Sequence, residues 1–201
     1  AGDFWFISIY VAIAIRLTPE MGWKIWLLCI VSGFLCHAPQ SRLADYYRQI
    51  HLFFLKGKEG SELDDASKQV DLYKQMSWSQ QPVQKLFQFF YKNYTKGQEN
   101  DTPQFQMLKA LLRKEYPQQL PEQLRKEFRE GSLPLMKYAN ILTFNWRSIT
   151  LFAAILLGEP ALYPIVEIIA FTCIFMYMRW RHEALCKQIH AKVLNGEYQQ
   201  K

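Results

Sequence analysis

No Walker loop, GxSxG, HExxH or CxxC occurs in these 201 residues. That removes the usual phosphate loop, the serine-hydrolase elbow, the zincin helix and the paired-cysteine redox or zinc motif. Cysteine is scarce as well. Cys29, Cys36 and Cys173 lie in apolar blocks and Cys186 in a basic tail, so they read as buried or cytosolic thiols and not as a disulfide framework. The first apolar run lacks the basic n-region of a secretory signal, and Asp3 is wrong for one. Basic residues do mix with aromatics, but no recognised nucleic-acid module is present, so nucleic acid is not expected as a partner.

What the sequence does have is uneven apolarity. Half of its residues are apolar and 15% aromatic, with a net charge of +6. The apolar residues gather at 4–15, 22–36, 138–157 and 160–178, while 37–137 is polar and basic. Apolar blocks flanking a hydrophilic stretch predict membrane helices around a water-exposed segment. The expected fold class is therefore all-α: a polytopic membrane helical bundle with a helical cytosolic insertion. The expected division is 1–56 for two membrane helices, the second extending into the cytosol, 57–134 for the insertion, and 135–201 for two more membrane helices and a basic tail.

Charge sets the expected orientation. The turn at 16–22 holds one Arg, and the turn at 158–160 no Lys or Arg; the middle segment holds sixteen and the tail after Met178 five. The positive-inside rule then places the large loop and the C-terminus in the cytosol, with Asp3 on the same side. From Asp3 to Arg16 a helix would rise only about 21 Å, against a hydrocarbon core of about 30 Å. A helix missing its first turns would look like this, so the first helix is expected to begin upstream of Ala1.

Within the middle segment, short amphipathic helices are expected at about 66–77, 82–94, 102–115 and 121–129, punctuated by prolines 82, 103, 117, 121 and 134. Pro39 is expected to bend the second helix, and GKEG at 57–60 to end it. Beside four membrane blocks, this basic, aromatic region suits contact with anionic membrane lipid.

Ionisable residues at bilayer depth are functional candidates by default. Arg147 and Glu167 both fall near the expected midplane. They can form a structural ion pair, or Arg147 can line a polar cavity and grip an anion such as phosphate; both readings stand. Ser41, Arg42 and Arg48 sit where block two leaves the membrane, either as interfacial anchors or as a cationic rim for a phosphorylated substrate. His182, Cys186 and His190 recur every four residues, a spacing that could present metal ligands on one face. Asp3, on composition alone, reads as a helix N-cap.

The stretches GDFWFISIYVAI, SRLADYYRQIHLFFLKGKEGSELD, NYTKGQENDTPQFQMLKALL and SLPLMKYANILTFNWRSITLF resemble the later part of bacterial CDP-alcohol phosphatidyltransferases, over nearly the whole chain. The resemblance implies a six-helix bundle in the bacterial inner membrane, of which four helices fall in this chain. It implies an enzyme that displaces CMP from a CDP-linked alcohol or lipid by attack of a hydroxyl acceptor. Two Mg²⁺ or Mn²⁺ ions would sit among four aspartates, the last of which is general base and metal neighbour. Asp3 is the only match to that set, so the chain as it stands is expected to be inactive. The arginines would suit the phosphate of the second substrate, and a homodimer is compatible with the resemblance. The rival expectations are a non-enzymatic membrane scaffold and a small transporter working through Arg147 and Glu167.

Overall fold

A computed structural model describes residues 2–56, 63 and 65–198, with side chains from Trp5 onward. Every regular element among them is helical: α1 (Gly2–Met21), α2 (Trp23–Ile30), a π-helical turn Val31–His37, α3 (Ala38–Lys56), α4 (Ala66–Gln75), α5 (Pro82–Asp101), α6 (Pro103–Glu115), α7 (Glu122–Ile141), α8 (Phe144–Leu156), α9 (Leu162–Val166), a second π-helical turn Glu167–Phe171, and α10 (Thr172–Leu194). The chain divides into two compact units. One comprises Ala1–Asp45 and Leu135–Trp180, the other Tyr46–Pro134 and Arg181–Lys201.

In the first unit, α1 continues past Arg16 and through Pro19 to Met21. Its 20 residues rise about 30 Å, the turns beyond the apolar run carrying Arg16 and Glu20. Gly22 ends it at φ +60°, a conformation that favours glycine. The Gly22 N–H bonds Thr18 O at 2.8 Å. The Trp26 indole then donates to Thr18 Oγ1 across the turn at 2.9 Å. Phe6, Tyr10, Ile13, Ala14 and Leu17 of α1 share a buried cluster with Ile25, Cys29, Ala154 and Tyr163. The spacing of the α1 members is that of one helical face.

Block three does not form one helix. α7 stops at Ile141 and α8 begins at Phe144, with extended backbone at Thr143. Thr143 Oγ1 donates to Asn140 O at 2.7 Å, and Arg147 Nε donates to Leu142 O at 3.0 Å. These two bonds occupy carbonyls that a helix end leaves open. Pro134, expected as a break, lies inside α7.

Leu162–Leu194 is a helical stretch of 33 residues, long and apolar enough to cross a membrane by length and composition. Among the described residues it is the one stretch that meets this measure.

The second unit gathers the expected amphipathic helices close to their predicted places. α5 runs on to Asp101, and the expected 121–129 helix becomes the start of α7. The tail after Trp180 belongs to this unit instead of trailing from the last apolar block. The physical reason lies in its buried face, where Cys186, Ile189 and Val193 are enclosed. Lys192 Nζ and Tyr198 OH also bond the two carboxylate oxygens of Glu127, at 2.6 and 2.8 Å. The end expected at GKEG lies outside the described residues.

Candidate functional site: a buried carboxylate between two π-helical turns

Both π-helical turns belong to the first unit, and they pack on each other. Such wide turns expose backbone and re-aim side chains, and they recur at functional sites. In the first turn Ala38 N–H reaches back to Gly33 O. Pro39 follows immediately and has no N–H to offer a normal helical bond. Pro39, expected to bend the helix, lies in the first turn of α3, directly after the π-helical turn.

The turns carry Ser32 and His37 on one side and Glu167 on the other, all buried. Glu167 is the hub. Its Oε1 is ion-paired with Arg147 Nη1 and lies 3.0 Å from His37 Nδ1. Its Oε2 accepts from Tyr10 OH and from Ser32 Oγ, the latter at 2.5 Å. Tyr10 OH also lies 3.5 Å from Tyr163 OH. With two oxygens and four partners, the carboxylate is saturated.

Arg147 is 1% exposed and uses all three nitrogens. Nε meets Leu142 O, Nη1 meets Glu167, and Nη2 donates to Gln40 Oε1 at 2.9 Å. Gln40 Nε2 then donates to Thr172 Oγ1 at 3.0 Å. The guanidinium also sits over the Phe171 ring at 5.2 Å, a cation–π contact. Of the two readings of Arg147 and Glu167, the ion pair is realised. An anion would have to displace a buried carboxylate to reach this guanidinium, which is costly. Beside the network lies an apolar cavity of about 250 Å³, walled by Phe6, Tyr10, Trp26, Gly33, Phe34 and His37.

The other candidates fall elsewhere. Asp3 is in the first turn of α1; its side chain lies outside the described residues. Ser41 and Arg42 stand half-buried on α3, directly after Gln40, and Ser41 Oγ donates to Ala38 O at 3.3 Å. Arg48 is six residues further along α3 and belongs to the second unit. The structure therefore brings Arg147 to Gln40, the neighbour of Ser41. Tyr10, Ser32, His37 and Gln40 were not singled out from the sequence. A signal was available for Tyr10, Ser32 and His37, polar-capable groups within or directly after an apolar block, but not for Gln40 in the polar stretch beyond it.

In the second unit, His182, Glu183 and Cys186 bring their ligand atoms within 4.8 Å of one another. His182 Nδ1 and Cys186 Sγ are 3.6 Å apart. The ring of His182 stacks on Tyr47 with centroids 3.8 Å apart, and Phe105 and Phe128 meet it edge-on. Glu183 Oε2 meanwhile accepts the Gln104 backbone N–H at 2.8 Å. The aromatic surround makes His182 a core side chain; Glu183, and not His190, completes the group.

Comparison with models of known protein families, with curated proteins and with solved structures finds no match for this chain.

Proposed function

We propose that this chain is embedded in a bacterial inner membrane by several helices and serves phosphoalcohol transfer from a CDP-linked alcohol or lipid. The observation that carries the membrane part is the inverted first unit. It buries Arg147, Glu167, His37, Ser32 and Gln40, yet leaves Trp5, Trp23, Phe34, Leu35, Phe152 and Leu157 more than 60% exposed. Water would favour the opposite arrangement. In hydrocarbon, ionisable groups face inward and pair, and apolar side chains face lipid. The reaction class rests on the resemblance of the quoted stretches.

In that reaction the acceptor hydroxyl attacks the phosphorus that carries the alcohol, the bond to CMP breaks, and CMP leaves. Asp3 would take the hydroxyl proton, and Ser41 and Arg42 would meet phosphate oxygens. Divalent ions, when bound, would neutralise the diphosphate charge. The family's metal site needs four carboxylates, of which this chain offers Asp3 alone, so the residues present do not fit the two ions. Arg147 acts in this reading by holding Gln40 and the start of α3.

The test is CMP release from CDP-diacylglycerol with Mg²⁺, measured on the full-length gene product and its Asp3→Asn variant. Loss of release in the variant is expected, while unchanged release removes Asp3 from the mechanism. The 201 residues alone are expected to release none. The transporter reading gains no support from a guanidinium whose nitrogens are all engaged; it predicts solute flux that Arg147→Ala abolishes.

A further inference from the structure

The α4–α5 hairpin of the second unit is built inside out. At 100° per residue, Lys85, Gln88, Lys92 and Thr95 share one face of α5. That polar face is the one packed on α4. Gln88 Nε2 donates to Gln69 O and Oε1 at 3.1 and 2.8 Å. Lys92 Nζ lies 3.7 Å from the Tyr73 ring centroid, and Lys85 lies over Tyr73 and Trp78 while donating to Met76 O at 2.7 Å. Thr95 and Gln98 are buried.

The opposite face of α5 carries Val83, Leu86, Phe87 and Phe90, which are 63, 46, 66 and 57% exposed. Trp78 at the hairpin turn is 52% exposed. An amphipathic helix normally buries its apolar stripe, and this one turns half-buried Lys85, Gln88 and Lys92 toward α4 instead. The residues 66–101 also hold five lysines against three carboxylates. Exposed Trp and Phe with a cationic surplus match the chemistry of a helix lying in the interface of an anionic bilayer.

We propose that the α4–α5 hairpin docks on an anionic lipid bilayer, inserting Phe87, Phe90, Val83 and Trp78 below the headgroups. The lysines engaged with aromatic rings hold the hairpin closed from its polar side, so the apolar stripe is presented whole. This rests on the reading that the chain is held in a membrane, which supplies the surface.

The test is spin-label accessibility in the full chain, reconstituted in vesicles of phosphatidylcholine with phosphatidylglycerol. The background carries Cys36→Ser and Cys173→Ser, since these are its half-buried and exposed thiols. Labels go at Phe87→Cys, at Phe90→Cys and, as an exposed control on α4, at Lys68→Cys. A fourth label, Ile169→Cys within Leu162–Leu194, reports membrane crossing independently. Labels at 87 and 90 should be open to oxygen and shielded from a water-soluble nickel chelate, with 68 open to the chelate. Shielding should weaken when phosphatidylglycerol is omitted. In Phe87→Ser, the neighbouring label at 90 should lose its shielding. A label at 87 open to the chelate while 169 is shielded overturns the hairpin proposal alone. Labels open at both 87 and 169 overturn the membrane reading with it. Shielding in detergent accompanied by spin–spin broadening between chains assigns the stripe to a second copy, and overturns the bilayer as occupant.

Discussion

Glu167 and Arg147 set the terms at the residue scale. A buried ion pair adds little net stability, but breaking it by removing one partner costs about 3–5 kcal/mol, because a charge is stranded. Glu167→Gln should therefore lower the detergent-solubilised thermal midpoint strongly, and Arg147→Met should do the same. The double variant Arg147→Met/Glu167→Gln should recover part of the loss. If the double variant falls by the sum of the two singles, the pair is not coupled as the distances require. Asp65 offers a second case, outside the apolar segments. Its carboxylate accepts Ser67 N–H and Oγ–H at 3.1 and 2.8 Å and meets Arg113 Nη1 at 3.1 Å. The Ser67 hydrogen bond above all, with that of Arg113, pulls its pKa down from 3.8 to about 2, against the upward push of burial. A depressed carboxylate stabilises the fold above its unfolded pKa. That contribution fades as pH falls from near 4 toward 2. Asp65→Ala should cost about 0.5–2 kcal/mol at neutral pH, and the difference from the parent should shrink between about pH 4 and 2 and vanish only below about pH 2 in acid unfolding followed by circular dichroism.

The telling elements are the two π-helical turns and the inverted hairpin. Gly33 lies in the first π-helical turn, and a Cβ there would stand 3.2 Å from Tyr10 Cδ2 and Cε2. The Tyr10 ring cannot move aside freely, because its hydroxyl is bonded to Glu167 and its face is stacked near Tyr163 at 5.7 Å. Gly33→Ala should thus lose about 1–3 kcal/mol by overpacking, outweighing the roughly 1 kcal/mol gain in helix propensity. A higher melting temperature in this variant would show the turn to be loosely packed. The helices of the middle segment were legible because prolines and apolar spacing mark them locally, as at Pro82 and Pro103. The π-helical turns were not legible, since Val31–His37 continues an apolar helical run and nothing local marks where the winding widens. The side chains that meet across them, His37 and Ser32 with Glu167, lie 130 or more residues apart.

For the whole molecule, the apolar exterior of the first unit leads to a simple expectation. On the proposed membrane reading, exposed Trp23, Phe34, Phe152 and Leu157 face lipid, and the chain should stay in the membrane pellet after alkaline carbonate extraction. Release to the supernatant would remove the membrane reading. The sequence by itself determined the helical class and the places of α4, α5 and α6. Period, capping residues and proline are local, and they act wherever the chain is. It also brought out Arg147 and Glu167, because a charge in an apolar block is conspicuous without any structure. Only the tertiary structure decided that the two meet, that Tyr10, Ser32 and His37 share the carboxylate, and that α5 turns Lys85 and Lys92 toward α4. Side-chain partners distant in sequence are chosen by packing, and neither periodicity nor composition records that choice.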